Sequence, residues 1–75
     1  MRRWDAGELG CGQMAAELRR RIDALEPGES IEVVTSDLGA PTDLPAWCRM
    51  TGHTLVSATP PVYILRRKQK GDIPL

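Results

Sequence analysis

Between Cys11 and Leu25 the apolar side chains recur at spacings of three, four and seven: Cys11, Met14, Ala15, Leu18, Ile22 and Leu25. Glu17, Arg19, Arg20, Asp23 and Glu26 take the other faces. That period predicts an amphipathic helix buried along one stripe, and Pro27-Gly28 predicts its end. Ser30 to Ser36 is β-branched and opens with apolar–polar alternation, which predicts a strand. After a turn-rich link, Asp43-Leu44-Pro45 reads as a helix start, with Asp43 accepting free N–H groups and proline tolerated in the first turn. Leu44, Trp47, Cys48 and Thr51 share one face of this second helix, and Gly52 suits a left-handed C-terminal cap. Thr54 to Thr59 and Val62 to Arg67 read as two further strands separated by Pro60-Pro61. Arg2 to Ala6 reads as a short first strand, and Gly7, Gly10 and Gly12 read as a glycine-rich loop at the entry to the first helix.

The predicted order is strand, helix, strand, helix, strand, strand. Two crossover helices imply parallel pairing among the early strands, and the short link at Pro60-Pro61 implies an antiparallel last pair. Each helix has one apolar stripe, so both are expected on one sheet face. The fold class is an α/β (α+β) two-layer sandwich, βαβαββ, with a four-stranded mixed sheet. The expected boundaries are one domain over residues 1–70 and a flexible tail over 71–75.

Composition narrows the chemistry. A chain of 75 residues buries only about 60% of the surface its unfolded form exposes, which favours surface chemistry or partner binding over an enclosed cavity. The ten basic and ten acidic side chains balance, against a dedicated nucleic-acid binder. The balance is uneven along the chain. Residues 1–37 hold five arginines against eight acids, and residues 38–75 hold five basic residues against two. Much of the second excess is Arg66-Arg67-Lys68-Gln69-Lys70, either a solubilising end or a contact for an acidic partner or RNA backbone. Two cysteines do not make a disulfide scaffold. No apolar run approaches the ~20 residues that span a membrane, and the N-terminus does not read as a signal peptide. The expected setting is cytoplasmic and reducing, with free thiols.

Cys11 is the candidate reactive group. At a helix start a thiol faces unpaired N–H groups and the positive end of the helix dipole, and both favour thiolate, the nucleophile and sulfur carrier. The alternative is a small buried residue at the end of the apolar stripe. Gly12 and Gln13 share its turn and are candidate supporting residues. His53 reads as a hydrogen-bonded structural histidine or a proton shuttle. Cys48 reads as a core residue. Arg19, Arg20 and Arg21 read as a solvated face or a docking site for an acidic partner. The paired spacing of zinc motifs is missing, so neither metal nor cofactor is expected.

These segments resemble the TusA/SirA-like sulfur-carrier proteins, including the YedF-like group. That family opens with an aspartate and Gly-Leu-x-Cys-Pro-x-Pro at the first helix. It continues through a glycine turn, Asp-Ile-Pro-x-Trp/Phe-Cys and Gly-His, and ends in two strands with a basic finish. Asp5, Leu9 and Cys11 match the opening, Gly28 the turn, and Asp43-Leu44-Pro45-Ala46-Trp47-Cys48 with Gly52-His53 the second helix. Tyr63-Ile64-Leu65-Arg66-Arg67 resembles the last strand, so the likeness covers roughly residues 4–68. Three positions depart from it. Glu8 replaces the opening glycine, and Cys11-Gly12-Gln13-Met14 replaces Cys-Pro-x-Pro.

The resemblance implies a sulfurtransferase whose Cys11 carries a persulfide from a cysteine desulfurase or rhodanese-like donor to an acceptor. The acceptor is another relay protein or a cofactor- or tRNA-thiolation machinery. The alternative is a non-catalytic interaction or regulatory module on the same fold, and a weaker one is an RNA-contacting domain using the basic end.

Overall fold

The computed structural model describes residues 1–69. Its elements run β1 Arg2–Gly7, α1 Cys11–Asp23, β2 Ser30–Thr35, α2 Ala40–Thr51, β3 Thr54–Thr59 and β4 Val62–Arg66. They form the expected two-layer sandwich, with a four-stranded mixed sheet in the order β1-β2-β4-β3. The expected tail, residues 71–75, lies outside the described residues.

Alternation along the strands makes one face of the sheet. Trp4 and Ala6, Ile31, Val33 and Thr35, and Tyr63 and Leu65 are buried. Against them pack Met14, Leu18 and Ile22 of α1 and Ala40, Leu44 and Cys48 of α2, all in one core cluster. Leu18, Ile22, Val33 and Leu65 are fully enclosed. The core stripe runs past α1 to Leu25, which is buried on the turn that follows.

β1 pairs with β2 in parallel, as one crossover helix requires. The second crossover produces no adjacent pair. β3 runs in the direction of β2, but β4 lies between them, antiparallel to both. The tight Pro60-Pro61 link, with a cis peptide bond, folds β4 back into the gap.

The N-cap of α2 lies four residues earlier than the sequence suggests. It is Gly39, without a side-chain cap, and Asp43 lies inside the first turn. The Thr42 and Asp43 N–H groups both donate to the Gly39 carbonyl, at 3.0 and 2.8 Å. Pro41 occupies the proline-tolerant start, so Pro45 falls within the helix. A Cβ at Gly39 would lie 2.9 Å from Asp43 Oδ2, so this cap has room only for glycine while Asp43 stays in place. At the other end Gly52 adopts φ 86°, and its N–H donates to the Cys48 carbonyl, the left-handed cap that glycine fills without strain.

Candidate functional site

The route from β1 to α1 is built by short local bonds. Asp5 Oδ1 accepts the Gly7 N–H at 2.9 Å, and Gly7 turns the chain at φ 58°. The Gly7 carbonyl accepts the Ser36 N–H at 2.9 Å and the Ser36 hydroxyl at 3.0 Å, tying the loop to the end of β2. The Leu9 N–H donates to Ala6 O. Asp5 was visible in the sequence only as a motif match, and its part in the turn shows in its spacing from Gly7. The anchoring by Ser36 depends on a contact 29 residues apart and leaves no local signal.

Cys11 is the first residue of α1, after the extended Gly10 at φ −68°, ψ 162°. The first intrahelical bond runs from Met14 N–H to Gly10 O at 2.8 Å. The N–H groups of Cys11, Gly12 and Gln13 precede it, and such groups have no acceptor within a helix. No side chain caps Gly10, and no carboxylate stands in the first turn. Gly12 and Gln13 are exposed, and a Cβ at Gly12 would touch nothing within 4 Å.

Beyond this turn lie two surfaces. An apolar groove of about 220 Å³ separates the helices, lined by Met14, Ala15 and Leu18 of α1 and Leu44, Trp47 and Met50 of α2. On the β1 side, a shallow depression runs from Leu9 and Gln13 past Glu17 to Arg20 and Arg21. Both arginines pair with Glu17, at 3.0 and 3.1 Å, and the Arg21 guanidinium lies 4.7 Å from the Trp4 ring centroid. Arg19 lines a different hollow, with Asp23, His53 and Lys68. The arginine run therefore divides between two sides of α1.

His53 is not brought to Cys11. It stands beside the last turns of α1, with Arg19 and Asp23. Eight to twelve residues of helix from Cys11 amount to about 12–18 Å at the standard rise. The Lys68 N–H donates to its Nδ1 at 3.0 Å, and the ring stacks on Trp47 with centroids 5.5 Å apart. Burial and the neighbouring Lys68 lower its pKa; Arg67 and Arg19 add to this, and Asp23 opposes it.

Cys48 is buried in the core, and desolvation pushes its thiol up to about 11. Among the described residues no group of three His, Cys, Asp or Glu side chains could hold a metal ion. No helix among them is long and apolar enough to cross a membrane.

Comparison with known proteins gives these positions a context. Relatives of this chain include proteins named "Putative sulfur carrier protein". YrkI of Bacillus subtilis (strain 168) is 36% identical over 62 residues, covering 83% of this chain and 83% of the relative. YrkF of the same organism is 34% identical over 62 residues, covering 83% of this chain but 34% of the relative, so the match takes in about a third of that longer protein. NMA0882 of Neisseria meningitidis serogroup A (strain Z2491) is 33% identical over 55 residues, covering 73% of this chain and 74% of the relative. The sequence profile described as Sulfurtransferase TusA matches residues 2–68, and the chain belongs to that family.

Proposed function

We propose that this protein is a sulfur carrier and that Cys11 holds the sulfur as a persulfide. The observation that carries the reading is the position of Cys11 as the first residue of α1, after an uncapped Gly10 and with no acid in its turn. A helix dipole and leading N–H groups favour the thiolate of a cysteine at such a position. The Cys11 thiolate attacks the terminal sulfur of a donor persulfide. The donor S–S bond breaks, the donor thiolate leaves, and the new S–S bond forms on Cys11 with no net oxidation. Transfer to the acceptor thiol repeats the exchange. The donor is a cysteine desulfurase or rhodanese-like protein. The depression from Gln13 to Arg20 and Arg21 is the docking path for an acidic donor surface, and Arg19 stands outside it.

Intact mass after incubation with a cysteine desulfurase and cysteine tests the reading. The expected product is heavier by one sulfur atom, absent in Cys11→Ser and retained in Cys48→Ser. Loading that survives in Cys11→Ser refutes the assignment. An alkylation profile giving Cys11 an ordinary thiol pKa favours the interaction module instead.

A further inference from the structure

Arg67 and Lys68, which follow β4, are bonded back onto the domain. Arg67 donates to the Leu25 carbonyl and, at 3.4 Å, to the Asp23 carbonyl, holding the turn after α1. Lys68 donates its N–H to His53 Nδ1 and its Nζ to the Thr51 carbonyl at 3.0 Å, holding the end of α2. With Arg19, these groups enclose a hollow of about 270 Å³ lined by Arg19, Asp23, Thr51, His53, Arg67 and Lys68, with Met50 at its edge. Three cations and a histidine line the hollow together with one carboxylate, Asp23. Arg19 is exposed and has no ion-pair partner among the described residues. The Lys68 ammonium keeps donors beyond the one that Thr51 accepts.

His53 adds a titratable element. Its Nδ1 accepts a backbone N–H, so the neutral ring carries its proton on Nε2. Protonation at Nδ1 forfeits that bond and adds a charge among Lys68, Arg67 and Arg19, with Asp23 the one opposing group. A bound anion reverses this balance.

We propose that this hollow binds a tetrahedral oxyanion, a sulfate- or phosphate-type group, and that binding is linked to protonation of His53. Arginine and lysine side chains recognise such groups through charge-assisted hydrogen bonds. Linkage is reciprocal: the anion raises the pKa of His53, and a fall in pH through that value tightens binding.

His53 is the sole histidine in the sequence, so its ring resonances report the site without ambiguity. The probes are sodium sulfate, which keeps its charge across the pH range, and a short single-stranded RNA, with sodium chloride at matched ionic strength as control. The expected result is a saturable displacement of the His53 signals by sulfate, a raised His53 pKa, and tighter binding at lower pH. Arg19→Gln is expected to weaken binding by at least about tenfold, the loss of one charge-assisted contact, while leaving Cys11 loading unchanged. Displacement by RNA at far lower concentration than by sulfate identifies the group as a phosphodiester; displacement by sulfate alone identifies a free anion. An equal displacement by chloride overturns the proposal. So does a response that persists in Arg19→Gln, or no response to either probe.

Discussion

At Cys48, burial holds the thiol at about 11, so near neutral pH almost none of it is thiolate. Cys11 has the opposite expectation, a pKa below the ordinary ~8.5 of a free thiol because of its place on the helix. Iodoacetamide at neutral pH, followed by peptide mass mapping, should therefore label Cys11 in the folded protein and reach Cys48 only after denaturation. His53 sets a second expectation at this scale. Its folded pKa lies below the ordinary value of 6.5, so the unfolded chain takes up a proton where the folded one does not. The contribution of His53 is fully present above about pH 6.5 and is lost as pH falls from there toward the folded pKa. Urea midpoints should decline over that window, and His53→Gln should flatten the decline. Its partner, Lys68, is 15 residues away in sequence, so neither that bond nor the separation of His53 from Cys11 was legible from the Gly-His motif.

Helices and strands were legible where burial dictates the pattern. The stripe from Met14 to Ile22 located α1, alternation located β2, and the break at Pro60-Pro61 separated β3 from β4. The start of α2 was not legible because two prolines and an aspartate offer competing starts. Asp43 has the chemistry of a cap, yet Gly39 takes the position, and a side chain there would meet the Asp43 carboxylate. The two helix-end glycines should respond in opposite directions. Gly52→Ala places a Cβ at φ 86° and should cost about 1 kcal/mol in urea denaturation. Gly12→Ala meets open space and should add up to about 1 kcal/mol. Gly12→Pro removes the N–H of the second helical residue and should raise the Cys11 pKa, read from the pH dependence of alkylation. An unchanged pKa would mean that this N–H contributes nothing to thiolate stability.

Across the whole molecule one core joins both helices to one sheet face. Leu18 is fully enclosed in it, and Leu18→Ala should cost roughly 2–5 kcal/mol. That is much of the 5–15 kcal/mol typical of a folded domain, so the urea transition should move far toward zero denaturant. The sandwich was legible because both helical stripes pointed the same way, whereas the order of strands was not. The exchange of β3 and β4 is decided by the reach of the Pro60-Pro61 link and by the β4 residues Tyr63 and Leu65, which belong in the middle of the core. The exchange also affects synthesis. The last strand of this sheet in sequence order is an interior one, bonded on both edges. A nascent chain released only as far as Thr59 therefore has both β3 and the second edge of β2 without their native partner. Completion of the sheet waits for residues 62–66, and a ribosome stalled before them should hold a protease-sensitive chain that becomes resistant once β4 has emerged.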